Sequence, residues 1–432
     1  MPQQATVSVL TLGCKLNQAD AESMARRLMA GGVRVVARPE EGADAFVINT
    51  CSVTHVADRK ARHLTRLARR LSPSATIILT GCYAETVPDN AAQFTGADLV
   101  LGNAAKSEIP DLLLERLPAG REPAASCPTP VKGSLRTRAF VKIQEGCDEL
   151  CAFCIVPRTR GRERSRTVEE VVRGVLARQR EGVQEVVLTG TQLGNYGRDL
   201  GWVEQGPRRL LEALLERTQV PRIRLSSLQA QDISPQLLRL WRDPRLCPHF
   251  HLPLQSGSDT VLRRRRRRYT AEQFRRAVGR IRDHVPDAAV TTDVIAGFPG
   301  ETDADFEATC SLCRQVGLAA IHAFPYSRRP GTAANLMPDQ VPVPVHRRRL
   351  ERLLALAEAS ATAFRRRYLG RVMPVLWEEQ KRGWWQGLTP NYLRVYTRAD
   401  DDLTNRLLPS RLLTLRDGGL RGEPEPVGAP TA

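Results

Sequence analysis

The chain has 432 residues, enough for two or three domains with cores of their own, and carries a net charge of +17 with a pI near 10.0. That excess favours a polyanionic partner, and with only six of the 64 basic residues being lysine it takes the form of arginine, which grips phosphate through paired hydrogen bonds and stacks on bases; a general coding preference for arginine contributes as well. Ten cysteines in so long a chain, without a leader-like start over residues 1–12 or an apolar run long enough to span a bilayer, argue against a secreted disulfide framework and a membrane protein, and a reducing cytosol is expected.

In chain order, residues 1 to about 118 alternate short apolar strands (7–12, 45–48, 77–79) with helical segments such as 19–31 and 56–71. Each of these strands runs into a cysteine: Cys14 in TLGCKLNQ, Cys51 in INTCSVT and Cys82 in LTGCYA. Strand ends of an open parallel sheet deliver side chains to one crevice, so cysteines far apart in sequence can meet there. The plainer alternative is that each is a small buried residue. A stretch rich in Pro, Ala and Gly, residues 117–133, reads as a linker and contains Cys127.

From Arg138 the alternation returns. Candidate strands at 139–143, 185–188, 223–225, 249–254, 290–295 and 320–324 alternate with helices such as 168–181 and 303–316. Six such units predict a partial barrel, open on one side, with its site at the strand carboxyl ends. The first strand leads into Gly146-Cys147-Asp148-Glu149-Leu150-Cys151-Ala152-Phe153-Cys154. Three thiolates at the spacing C-x3-C-x2-C can hold three corners of a four-iron cluster and leave the fourth iron open. Structural zinc needs a closed shell of four ligands, and no nearby cysteine or histidine supplies the fourth.

Turns rich in Ser, Thr and Gly follow the later strands: Thr189-Gly190-Thr191, Ser226-Ser227, Gln255-Ser256-Gly257-Ser258 and Gly297-Phe298-Pro299-Gly300-Glu301. Such residues are common in any βα turn, but their order along the chain is informative. Arg158, Arg160, Arg162, Arg164 and Arg166 follow the last loop cysteine, and residues 263–268 are all arginine; either run holds phosphate or forms a solvated face. Cys310 and Cys313 share a helix face and read as buried packing, Cys247 lies in a loop, and the seven histidines show no zinc-like spacing. Residues 345–368 form a long amphipathic helix rich in arginine. Residues 370 to about 418 alternate like a small β-barrel at 372–377 and 392–396, with Trp384, Trp385, Tyr392 and Tyr396 either its core or a grip on RNA.

Taken together, TLGCKLNQ, INTCSVTHVADRKAR, GCDELCAFCIVPRTRGRERSR, LTGTQLGNYG, RLSSLQ, HLPLQSGSD, TTDVIAGFPGET and HAFPYSRRPGTAA resemble the radical S-adenosylmethionine (SAM) methylthiotransferases over nearly the whole chain. The nearest likeness is to the branch acting on N6-threonylcarbamoyladenosine in tRNA, since the isopentenyladenosine branch usually reads GCQMN and NTCAVRE at the first two sites. The resemblance implies an α/β protein: an N-terminal open α/β methylthiotransferase domain (1–118), a partial (β/α)6 radical SAM barrel (136–368) and a small C-terminal TRAM-like β-barrel that binds RNA (370–425). It implies two [4Fe-4S] clusters, one on Cys147, Cys151 and Cys154, the other on Cys14, Cys51 and Cys82. SAM would bind the open iron of the first, with contacts from Thr189, Gly190, Thr191, Ser226, Ser227, Gln255 and Ser256, a wall at Gly297 and Glu301, and Arg160 for its carboxylate. The implied reaction replaces the C2 hydrogen of the modified adenine at position 37 of the anticodon loop, using an external electron donor and sulfur source. Rival readings are a methylthiotransferase for isopentenyladenosine or a ribosomal protein, and a non-catalytic RNA-binding iron–sulfur protein. Relatives usually carry Met where this chain has Arg265, which puts the packing at the barrel mouth in question.

Overall fold

The computed structural model describes residues 4–87, 96–117, 137–202 and 205–425, so the expected linker, apart from Leu117, and Cys127 lie outside the described residues. The N-terminal sheet is parallel throughout, in the order Arg34–Val36, Thr6–Thr11, Ala45–Thr50, Thr76–Gly81, Leu99–Leu101. Helices Lys15–Ala30 and His55–Leu71 accompany it. Its two faces carry separate cores: Val7, Val9, Met24, Leu28 and Val47 on one, Leu10, Phe46, Ile48, Ala61 and Leu79 on the other. Burial on both faces is why the central strand Ala45–Thr50 is wholly inside and reads as an unbroken apolar run at its start. The strand order reverses between the adjacent strands Thr6–Thr11 and Ala45–Thr50, and such a switch point opens a crevice at the strand carboxyl ends. Cys14, Cys51 and Cys82 follow three adjacent strands there.

The second part holds six parallel strands, Arg138–Lys142, Glu185–Thr189, Arg222–Leu225, His249–His251, Ala289–Ala296 and Ala320–Pro325, in two three-stranded ladders. An isolated pairing of Ile223 with Leu246, just before the fourth strand, links the first ladder to the segment leading into the second. The fourth strand is shorter than the 249–254 expected, because Pro248 and Pro253 flank it without N–H groups to donate. Helices with capping boxes, such as Val168–Arg180 and Asp303–Val316, return the chain between strands. One continuous core fills the space between helices and strands, and it includes Cys310 and Cys313 as packing residues.

Helix Val343–Arg366 then leads to a closed five-stranded barrel, in the order Val372–Lys381, Trp384–Leu388, Arg394–Thr397, Gly419–Pro424, Leu407–Arg416. Trp377, Trp385, Val395 and Leu412 form its core. It docks under the amino-terminal ends of the first strands of the partial barrel. Arg222 Nη1 donates to Leu388 O at 2.9 Å, Arg224 Nη1 to Pro390 O at 2.8 Å and Arg138 Nε to Glu378 at 2.6 Å. Glu185, fully buried, anchors this layer by accepting two bonds from Arg224 at 2.8 and 3.1 Å. Among the described residues no helix is long and apolar enough to cross a membrane.

Candidate active site

The C-x3-C-x2-C loop is an excursion between two short paired strands, Gln144–Glu145 and Arg164–Ser165. It is tied down by Cys147 N–H donating to Gly161 O at 3.1 Å and Ala152 N–H to Arg265 O at 3.1 Å. Gly146 turns the chain into it with φ +77°, and a Cβ there would lie 1.8 Å from Arg162 O, so only glycine fits. In the other triad Gly13 does the same work: φ is +101°, and a Cβ would meet Cys51 Cβ at 2.4 Å.

The sulfurs share a local device. Val156 N–H points at Cys154 Sγ from 3.4 Å, and the amides of Val53 and Glu149 hydrogen-bond to Cys51 and Cys147 in the same way. In each case the donor is two residues on. Arg267 Nη1 adds a bond to Cys151 Sγ at 3.3 Å, and Cys14 caps the N-terminus of helix Lys15–Ala30. Amides and a guanidinium aimed at sulfur suit thiolates that carry charge to a metal. Without metal, burial pushes the Cys147 thiol up to about 12, and those of Cys51 and Cys154 up to about 11, with neighbouring cysteines adding to the rise. A bound cation reverses that balance, since a coordinated thiol is deprotonated. The donor sets therefore fit soft metal centres.

Two adjoining cavities separate the triads. One, of about 450 Å³, is walled by Cys51, Cys154 and Gln255. The other, of about 600 Å³, runs down the partial barrel from Cys14, Thr189, Gly190, Thr191, Ser226 and Ser227 to Asn391 and Tyr392 of the C-terminal barrel. Gly13, Val53, Val156, Asp293 and Phe324 border both. Thr191 Oγ1 and Gln255 Oε1 are buried without a hydrogen-bond partner, so each wall carries an unmet polar atom. Gln144 fixes the turn beneath, accepting from Thr191 N–H at 2.9 Å and Gln192 N–H at 3.0 Å.

Other expected contacts are engaged within the protein. Arg160 borders the larger cavity, but its guanidinium is engaged by Glu145 at 2.5 Å, by Asn17 and by Asp20 at 3.6 Å. It joins the N-terminal part to the barrel while lining the cavity wall. Glu301 accepts from Gly297 N–H at 2.9 Å and Arg349 at 2.8 Å, and Ser256 Oγ lies 3.2 Å from Thr309 Oγ1. These three residues brace their turns and border neither cavity. The arginine run is no uniform basic face either. Arg265 is fully buried, bonding Gln255 O and, at 2.7 Å, Ile295 O, while Arg267 reaches both Cys151 and Gln229. Arg263, Arg264, Arg266 and Arg268 remain exposed. Of the barrel aromatics, Trp385 and Tyr396 are core, whereas Trp384 lies under Arg398 and Arg416, at 4.6 and 3.6 Å.

Sequence reading gave the histidines no role and placed Tyr392 only in the C-terminal barrel, as core or a grip on RNA. His249, His251 and His322 line the larger cavity with Asp293, and His251 Nε2 lies 3.3 Å from Asp293. His249 stacks on Tyr392 at 4.6 Å, and burial, reinforced by Arg224 and Lys15, holds it neutral. A signal was present: positions 249 and 251 share a strand face. Tyr392 comes from the docked C-terminal barrel, which no local pattern announces.

The second link between the N-terminal part and the barrel is Arg329, which donates to Ser52 Oγ at 2.6 Å and Asp58 at 2.8 Å beside Cys51. The third is Asp20, paired with Lys142 at 2.6 Å and Lys106 at 3.0 Å.

Residues 141–313 match the Radical SAM superfamily, and residues 6–102 match the Uncharacterized protein family UPF0004. The chain is similar to the threonylcarbamoyladenosine tRNA methylthiotransferase MtaB of Bacillus subtilis, at 36% identity over 95% of this chain and 94% of the relative. It is similar to the protein of the same name from Thermotoga maritima at 38% over 86% of each. The tRNA-2-methylthio-N(6)-dimethylallyladenosine synthase of Acidothermus cellulolyticus is 38% identical over 86% of this chain and 77% of that relative. Among solved structures, the radical SAM methyltransferase TsrM from Kitasatospora setae shares the fold, with a TM-score of 0.55 and 14% identity over 77% of each chain. With each matched segment containing a cysteine triad and supplying cysteines to adjoining cavities, and relatives aligned across almost the full length, this chain belongs to the radical SAM methylthiotransferase family.

Proposed function

We propose that this protein inserts a methylthio group at C2 of N6-threonylcarbamoyladenosine in the anticodon loop of tRNA. The observation that carries the reading is that cysteines of both triads, Cys14 and Cys51 of one and Cys154 of the other, line two adjoining cavities. Cys147, Cys151 and Cys154 would hold one [4Fe-4S] cluster and Cys14, Cys51 and Cys82 a second. Bound there, the clusters supply reductive cleavage of SAM and the sulfur to be inserted, chemistry that an inert C2–H bond requires. The chain's own part is to hold and orient. Amides of Val53, Glu149 and Val156 and the Arg267 guanidinium meet the charge on sulfur.

Thr189, Gly190, Thr191, Ser226 and Ser227 line a cavity of the size that small-molecule ligands occupy, and with Gln255 they are the proposed SAM contacts. The unmet Thr191 Oγ1 and Gln255 Oε1 support that role. A loop base, already unpaired, can be splayed into such a cavity and read at its edges. Trp384 with Arg398 and Arg416 offers the C-terminal barrel a cationic stacking surface for RNA. The working division is residues 1–118 for sulfur delivery, 136–368 for SAM and 370–425 for RNA, with an external electron donor and sulfur source acting in the cytosol.

The test is mass spectrometry of nucleosides from threonylcarbamoyl-modified tRNA after anaerobic incubation with reconstituted enzyme, SAM and reductant. The methylthio derivative is the expected product. Cleavage of SAM to 5′-deoxyadenosine with unchanged tRNA would mean that the substrate is wrong.

A further inference from the structure

Among the described residues, the larger cavity contains a lysine without a counterion. Lys15, the residue after Cys14, enters its wall with the Nζ 5.8 Å from the Tyr392 ring centre. Among the described residues no hydrogen-bond or ion-pair acceptor reaches that Nζ. Its charged surroundings are Arg138 and Arg224, of like sign, and Glu185. Glu185 is already taken: Arg224 binds it twice, at 2.8 and 3.1 Å, with Arg222 at 3.7 Å and Arg138 at 4.0 Å. Asp293, the one carboxylate among the described residues lining the cavity, sits 3.3 Å from His251. A partly buried ammonium in such a place gains most from an anion brought by a ligand, because the low-dielectric wall strengthens a charge-assisted bond and leaves the unpaired charge costly.

We infer that Lys15 pairs with the carboxylate of the threonylcarbamoyl substituent and so selects the modified base. This rests on the reading proposed above. Purine chemistry fixes where such a contact must lie. C2, where sulfur is inserted, and C6, which bears the substituent, flank N1 on one edge of the ring. A residue adjacent to Cys14, on the sulfur-delivering side, is therefore beside whatever the N6 group presents. An uncharged N6 substituent would leave Lys15 without a partner, so the same residue disfavours bases lacking the carboxylate.

SAM also carries a carboxylate, and the experiment separates the two sources. Full-length reconstituted enzyme, K15M and K15R are compared on an anticodon stem–loop bearing threonylcarbamoyladenosine and on the same RNA with the threonine carboxylate as its methyl ester. Wild type should show a KM roughly 10- to 100-fold higher for the ester, the size of one hydrogen bond to a charged group. In K15M the KM for the acid should rise to that of the ester, so that their ratio falls to about one, and K15R should restore most of the difference. A general structural defect would raise both KM values and keep the ratio. An unchanged ratio in K15M overturns the inference, as does a rise in the KM for SAM in place of that for RNA. If wild type cleaves SAM but converts neither RNA, the proposed substrate falls and this inference with it; if it converts both equally well, the inference alone falls.

Discussion

The two cysteine triads reach one crevice by different routes. The barrel triad sits on a single loop, Cys147 to Cys154, whose ends are clamped by the Gln144–Glu145 and Arg164–Ser165 pairing. The N-terminal triad is gathered from the ends of three neighbouring strands of a parallel sheet, and that sheet is fastened above the barrel by Asp20 and Arg329. Both then use the same local fitting, a backbone N–H two residues beyond the cysteine turned toward its sulfur. A clamped loop positions ligands by its own geometry. A sheet positions them only if the whole domain folds and docks, so its triad depends on contacts far from any cysteine.

The comparison breaks most sharply at the cysteines themselves. Cys147→Ala should abolish 5′-deoxyadenosine formation and lower bound iron by about four per chain. Cys51→Ala should lose a similar amount of iron yet keep RNA-free SAM cleavage while losing the methylthio product. Iron analysis and chromatography of both products check this, and equal loss of SAM cleavage in the two variants would end the division of labour. Next come the glycines. Gly146→Ala and Gly13→Ala each force a Cβ into contact, at 1.8 and 2.4 Å, in a left-handed backbone that adds roughly 1–3 kcal/mol of strain. Each should impair loading of its own triad and spare the other, read as iron content together with retention or loss of SAM cleavage.

Asp20→Asn addresses the docking on which the N-terminal triad alone depends. Removing one partner of a buried ion pair costs about 3–5 kcal/mol, here shared among Lys106, Lys142 and Arg160. Amide exchange should rise at the N-terminal sheet before the barrel, and exchange rising equally in both would contradict the picture. Burial pushes the Asp20 carboxyl up, but Lys106, Lys142 and Arg160 outweigh it and hold the group at about 2, below its usual 3.8. A lowered folded pKa means that its contribution is complete above about pH 4 and fades as pH falls toward 2; the wild-type loss over that window should be absent in Asp20→Asn. The smallest effect is expected at Arg265, where burial lowers the guanidinium to about 10. Methionine there loses two bonds to carbonyls and a 3.6 Å pairing with buried Glu301, which Arg349 still holds at 2.8 Å, but it also removes a buried charge, so urea unfolding should shift by less than for Asp20→Asn. A larger loss would make the arginine a structural requirement of this chain.

Spacing and periodicity alone determined a great deal. The clamped triad is written into residues 147–154, the strand ends at Cys14, Cys51 and Cys82 follow from apolar runs that stop at cysteines, and helix Asp303–Val316 falls where its periodicity places it. These are features of short range, set by neighbours along the chain. Tertiary structure decided what side chains do once distant elements meet. It made Arg160 a tie between domains as well as a cavity-wall residue, drew Arg265 inside the arginine run, and brought His249, His251 and His322 around one cavity. Nor could any local pattern show that a loop of the C-terminal barrel would close the cavity with Tyr392, its ring 5.8 Å from the Lys15 ammonium. An arginine or lysine reads the same in sequence whether it meets solvent, a carboxylate or a ligand, because its energy is set by burial and by which charges the fold places beside it.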